Sequence, residues 1–291
     1  MKIMRFIGIV LALFLAGSPS DTSAQDSGKK YKVYMVSNSH LDTQWRWDVK
    51  ATIDDYLYNT AVQNLALLEK YPHYVFNFEG AVKYEWIKEY YPHLFERIRK
   101  FVADGRWNIS GASFEANDPN MPSSESFIRN ILLAQEFYKK EFGIKSKDMF
   151  LPDCFGFSQV MPTLGHHCGL IGFSTQKLSW RTEPLVGDSK TPFPIGLWEG
   201  VDGARIMVAL EPGRYSWNEF PEGDLSANEE LAESARKSPF GIAYRYYGNK
   251  LANGAGDHGG SALPRSIQLL EEGITNGKGP VQLVSATSSQ L

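Results

Sequence analysis

The stretch VSNSHLDTQW, residues 36–45, follows an apolar run, YKVYMV, and breaks at once into small polar residues. It presents His40 and Asp42 at i and i+2, with Trp45 three residues further on. In an extended segment, residues two apart project from the same face. His40 and Asp42 can therefore point at one object. An imidazole nitrogen with a carboxylate oxygen is a common zinc-ligand pair. The same two residues also suit an ordinary turn at a strand end. A second chemically rich position is Asp153, in DMFLPDCFG, where another short apolar run enters a loop.

The elements that must position these residues follow from the hydrophobic pattern. Residues 31–37 read as a strand. TIDDYLYNTAVQNLALLEKYP reads as an amphipathic helix, with Ile53, Tyr56, Leu57, Ala61, Leu65 and Leu68 at helical spacing and Pro72 closing it. YVFNFEG and RWNIS are further short strands. Between them AVKYEWIKEYYPHLFERIRKFVADG is helical with a proline interruption and a cap at Gly105. SSESFIRNILLAQEFYKKEFG is a strong helix to Gly143, and DMFLPDCFG is a fourth strand. MPTLGHHCG begins a short helix, GFSTQK is a fifth strand and ARIMVAL a sixth. Residues 183–203, rich in Pro and Gly, read as a long loop. NGAGDHGGSALPRSIQLLEEG reads as a glycine-rich turn and a helix.

Strands alternating with helical segments imply βαβ units and a mostly parallel sheet. In such folds the site lies at the carboxyl ends of the strands. His40 and Asp42 end the first strand, and Asp153 ends the fourth. The expected fold is α/β, a parallel, seven-stranded, barrel-like β/α domain.

Composition narrows the partners. The opening 24 residues carry Lys2 and Arg5, an apolar run from Phe6 to about Ala16, and TSA before Gln25. This is the pattern of a secretory signal peptide, 1–24, too short for a membrane span. An exported protein, periplasmic or extracellular, without a membrane anchor is expected. The remaining chain of roughly 265 residues suits one large domain, 25–291. A net charge of −3 argues against nucleic acid as a partner. Aromatics reach 13 %, including 7 Trp and 14 Tyr, and sugar-binding clefts use such rings as stacking platforms. Cys154 and Cys168 are too few for a disulfide scaffold and read as buried thiols.

Taken together, SHLDTQW, LPDCFGFSQVMPTLGHHCGLIGFSTQKLSW, GAGDHGGS and NISGASFEANDPNMPSSESFIRNILLAQEFYKKEFG resemble the α-mannosidases of glycoside hydrolase family 38. The resemblance covers nearly all of residues 31–291. It implies a zinc-dependent retaining glycosidase acting on mannose-containing glycans. By position, His40 and Asp42 match zinc ligands, and Asp153 matches the residue that is both ligand and nucleophile. Trp45 matches an apolar platform under the sugar, and Phe155 an aromatic lining the site. Lys177 falls where some members carry an arginine near the substrate; it keeps the charge without the planar fork.

The family's general acid has no clear counterpart. Glu211, Glu219 and Asp257 are candidates, each also readable as a plain surface carboxylate. His258 reads equally as a turn residue or a ligand. His166 and His167 read as core or surface residues, His73 and His93 as turn residues. The resemblance also implies several hundred further residues, carrying a fourth ligand in a His-Asp motif. The chain is therefore expected to be a catalytic domain lacking part of its site wall, with slow or no turnover alone and exposed apolar surface. Two rival readings are an inactive carbohydrate-binding remnant and a metal-dependent polysaccharide deacetylase. The latter would carry a His-x-x-x-His pair on a helix, which does not occur here.

Overall fold

A computed structural model describes residues 30–179, 193–210, 217, 219–238, 240–248 and 258–291. The leader, Glu211 and Asp257 lie outside the described residues. The strands are β1 (Tyr31–Asn38), β2 (Phe76–Phe78), β3 (Trp107–Ile109), β4 (Asp148–Phe150), β5 (Gly172–Ser174), β6 (Ile195–Glu199), β7 (Arg205–Ala209), β8 (Ile242–Gly248) and β9 (Val281–Ser285). The helices are α1 (Val49–Ala51), α2 (Tyr58–Lys70), α3 (Ala81–Tyr90), α4 (Pro92–Ala103), α5 (Ser124–Phe142), α6 (Met161–His167), α7 (Glu229–Lys237) and α8 (Pro264–Asn276). A π-helical segment, Thr52–Leu57, joins α1 to α2.

The α/β class and the parallel pairing agree with the sequence pattern. The expected seven-stranded, barrel-like domain does not appear as such. Among the described residues there are two sheets. One has the order β3-β2-β1-β8, with β9 also paired to β1, and all its pairings are parallel. The other has the order β4-β5-β7-β6, parallel except for the antiparallel β6–β7 pair. β6 lies inside the segment read as a long loop. Its Leu197 is exposed opposite Met207, so one face carries no burial signal and Pro and Gly dominate the reading. β8 and β9 also went unread as strands. β8 is buried through tyrosines rather than a Val/Ile/Leu run.

The two sheets meet where Ala112 N, just beyond β3, donates to Asp148 O of β4 at 2.8 Å. Val36, Phe150, Ala209, Tyr244, Tyr246 and Ala286 pack as one cluster drawn from both sheets. The larger core lies between the first sheet and its helices, centred on Phe76, Phe78, Tyr84, Trp107 and Tyr138. Trp107 stands edge-on to Phe76 and Phe78, and its indole N–H donates to Tyr84 OH at 2.9 Å.

Helix boundaries follow local chemistry. Ser123 caps α5 by accepting from Ser126 N. Gly143 closes α5 in the left-handed region. Pro92 begins α4 where the missing N–H costs nothing, and His93, read as a turn residue, sits in that first turn.

This architecture gathers polar side chains at one end. His40 and Asp42 follow β1, Glu79 follows β2, Asn117 and Asp118 lie in the loop after β3, Asp153 follows β4 and Lys177 follows β5. Every one of these strands runs parallel to its neighbour, so their carboxyl ends coincide.

Trp107→Ala removes a fully enclosed indole and leaves the Tyr84 hydroxyl without its donor. A loss of about 3–5 kcal/mol is expected in urea unfolding. A change below about 1 kcal/mol would mean that the core is not organised around this ring.

Candidate active site

The loop after β1 is held from several sides before any side chain reaches the cavity. Gly259 N donates to His40 O at 3.0 Å, and Leu41 bridges antiparallel to His258. Gly260 N donates to Thr60 Oγ1 at 2.8 Å. Gly259 has φ +73°, and a Cβ there would lie 2.4 Å from Thr60 Oγ1, so no larger residue fits. Residues 258–260 thus clamp the His-x-Asp loop through their backbone. His258 stacks on Trp47 at 4.3 Å and meets Tyr56 edge-on, as a packing residue. Beyond it, Thr52 Oγ1 receives the Trp47 indole N–H and donates to Thr43 O, each at 2.8 Å.

His40 is 4 % exposed and is the hub of the site. Its Nε2 lies 3.1 Å from Asp42 Oδ1 and 3.7 Å from Asp153 Oδ2. Its Nδ1 lies 3.3 Å from Glu79 Oε1. Glu79 Oε2 in turn accepts from Lys83 Nζ at 2.8 Å. On the far side, Lys177 Nζ forms an ion pair with Asp153 Oδ1 and sits 4.3 Å from the centre of the Phe155 ring. His40, Asp42 and Asp153 are therefore brought together, as their strand-end positions suggested.

A cavity of about 400 Å³ opens over this cluster, with Gln44, Trp45, Asn117, Asp118, Phe155 and Lys177 among its walls. Trp45 and Phe155 are each about half exposed at its rim, 52 % and 55 %. The Arg46 guanidinium lies over the Trp45 ring at 4.3 Å. Cys154 also lines the cavity; its thiol donates to Asn117 O at 3.2 Å, and burial pushes its pKa up to about 12. Both cysteines are free.

The electrostatics follow from burial against pairing. Burial pulls the His40 pKa down, but hydrogen bonds to Asp42 and Glu79, with the charges of Glu79 and Asp153, outweigh it and raise it to about 10. Burial pushes the Glu79 carboxyl up. The Lys83 charge and the His40 contact outweigh it and bring it to about 2. Glu115, hydrogen-bonded to Thr43 and to Ala116 N, is raised, mainly by burial.

Donor types here suit a borderline cation: one imidazole nitrogen and two carboxylates. Ligands about 2.0–2.1 Å from a tetrahedral ion lie about 3.3 Å apart. The 3.1 and 3.7 Å separations at His40 Nε2 bracket that spacing. Among the described residues no group of three or more His, Cys, Asp or Glu side chains is placed so that it could hold a metal ion. In this arrangement Lys177 occupies one carboxylate oxygen of Asp153.

Glu79 and Lys83 were not singled out in the sequence. Their signal was an acidic residue at the end of the second strand and a lysine four residues on, which reads as an ordinary helix-start pair. Asn117, Asp118 and Gln44 were likewise unmarked. Glu219 is exposed and does not line the cavity. His167 pairs with Asp202 on the surface, and His73 with Glu271, both away from this cavity.

The model of the glycosyl hydrolases family 38 N-terminal domain matches residues 30–289. The chain belongs to glycoside hydrolase family 38. It is 32 % identical to alpha-mannosidase 2C1 of Homo sapiens over 88 % of this chain and 23 % of that protein. It is 37 % identical to alpha-mannosidase G of Dictyostelium discoideum over 65 % of this chain and 17 % of that protein. The fold matches an alpha-mannosidase from Enterococcus faecalis V583 with a TM-score of 0.73 at 23 % identity, over 90 % of this chain and 29 % of that one. This family 38 chain thus spans less than a quarter of the length of these two relatives.

For the metal-free protein, the raised His40 pKa fixes the sign of a pH effect. The unfolded imidazole titrates near ~6.5, so the stabilisation is full below that pH and is lost as pH rises through about 10. Urea midpoints of chelator-treated protein are expected to fall across this window, and His40→Gln to remove that component. Identical pH slopes for the two proteins would contradict the His40 environment described above.

Proposed function

We propose that this chain is the catalytic domain of a zinc-dependent, retaining α-mannosidase acting on terminal α-mannosides of glycans. The observation that carries the reading is the convergence of His40 Nε2 with Asp42 and Asp153 at the floor of an aromatic-rimmed cavity. Family membership supports it. His40, Asp42 and Asp153 would hold the ion. Bound there, zinc would supply Lewis-acid stabilisation of the sugar hydroxyls and of developing charge.

The chain's own residues do the rest. Asp153 is the nucleophile; its carboxylate attacks the anomeric carbon as the glycosidic C–O bond breaks and the aglycone leaves as an alcohol on taking up a proton, and water then hydrolyses the glycosyl ester to free mannose and the restored carboxylate. Lys177 forms an ion pair with it and holds the carboxylate at the cavity floor. Trp45 and Phe155 offer apolar faces to the sugar ring and exclude water. Two inversions at one carbon give net retention. The leader at residues 1–24 supports export of the protein, so the substrate is an extracytoplasmic glycan. The core shared by the two sheets supports a barrel-like arrangement.

Two measurements test this. The chain is expected to bind one zinc ion, and His40→Gln to abolish the binding, read by chelator competition; affinity should fall as pH drops, because the ligands protonate. The protein carrying this domain is expected to hydrolyse p-nitrophenyl α-mannoside in a chelator-sensitive way, releasing the α-anomer first by NMR. Asp153→Asn should lower kcat by at least about 10³-fold. Full turnover in Asp153→Asn would remove it as nucleophile, and first release of the β-anomer would remove the retaining mechanism.

A further inference from the structure

The Glu79–Lys83 pair sits behind the site and takes no part in the reaction above. Glu79 is the first residue after β2, and Lys83 lies in the first turn of α3. Both are sealed from solvent, at 2 % and 0 % exposure. A buried ion pair adds little net stability over apolar residues of similar volume, so stability alone does not account for one here. The pair's contacts are directed. Glu79 Oε1 faces His40 Nδ1 at 3.3 Å, and Lys83 Nζ donates to the carbonyl of Leu41, the residue between His40 and Asp42, at 2.8 Å. The two thus grip the His-x-Asp loop by a side chain and by its backbone. Gly80, at φ +89°, makes room for this: a Cβ there would lie 2.6 Å from Lys83 Cε.

The two nitrogens of an imidazole divide their roles according to the partner of each. A carboxylate at Nδ1 makes that atom the donor and leaves the Nε2 lone pair for a cation. Such outer partners orient a ligating histidine and raise its basicity. We infer that Glu79 and Lys83 form a positioning pair that keeps Nδ1 of His40 protonated, turns Nε2 to the cavity, and sets the affinity of the site for zinc. The affinity half rests on the zinc reading above; the Nδ1 half does not.

The test uses nitrogen-15 NMR of the His40 ring and zinc affinity by chelator competition on two double variants. Glu79→Leu/Lys83→Met removes the acceptor and both charges together. Glu79→Gln/Lys83→Met removes the charges and keeps an acceptor oxygen. The original protein is expected to show a slowly exchanging Nδ1–H with or without zinc. The Leu/Met variant is expected to lose that resonance and to bind zinc about 10–100-fold more weakly, with little change in urea midpoint. The Gln/Met variant is expected to keep the resonance and to fall between the other two in affinity. If the Leu/Met variant does not fold, the Gln/Met variant decides: zinc affinity equal to the original overturns the charge role. Absence of the Nδ1–H resonance from the original protein, or its persistence in the Leu/Met variant, overturns the positioning role. A normal resonance in an original protein that binds no zinc refutes the zinc reading and leaves the Nδ1 assignment standing.

Discussion

Carboxylates gathered around one buried histidine need positive charge to offset them, and the rest of the site is arranged around that requirement. His40 touches Glu79 through one nitrogen and faces Asp42 and Asp153 through the other. Lys83 answers Glu79, and Lys177 answers Asp153. The row Lys83, Glu79, His40, Asp153, Lys177 alternates in sign when the imidazole is protonated. Each member is desolvated at a cost that only its neighbours offset. Removing one member leaves an uncompensated buried charge, so the row behaves as a unit.

Parallel strands make such a row possible. Each of β1, β2, β4 and β5 ends within three residues of one charged member or set of members, and the pairing registers align those ends. A one-residue slip in β1 would turn His40 to the opposite face, because side chains alternate. The register is pinned by more than the ladder. Asn77 Nδ2 donates to Ser37 O at 2.9 Å and to Ala286 O at 3.0 Å, tying the end of β2 to β1 and to the segment after β9. The backbone of Gly259 and Gly260 fastens the outgoing loop to α2 through Thr60.

What the sequence made legible divides along physical lines. Amphipathic helices such as α4 and α5 carry their burial in a 3.6-residue period, and strand ends flanked by loops mark candidate chemistry; both were readable. His40, Asp42 and Asp153 could be named because ligand-type residues stood together at the carboxyl ends of strands and within motifs resembling those of family 38. β6 was hidden by Phe193-Pro194 before it and Gly196 and Gly200 within and after it, with one face exposed. β8 was hidden because Tyr244, Tyr246 and Tyr247 are buried aromatics without alternation. Glu79 and Lys83 were hidden for a different reason. A glutamate and a lysine four apart at a helix start suit a solvated surface equally well, and only the tertiary fold buries them.

The cluster is also graded in exposure, and the gradient gives the site a direction. Around His40 the side chains run from Glu79 at 3 % through Asp153 at 15 % to Asp42 at 30 %. The Nδ1 side is closed by α3 and cannot admit a ligand. The Nε2 side opens to the cavity, where partners can be exchanged with water, an ion or a substrate. Low dielectric on the closed side strengthens the contacts that orient the ring. On the open side Nε2 is shared between two carboxylates, Asp42 at 3.1 Å and Asp153 at 3.7 Å. A ring fixed from behind can change its front partners without turning.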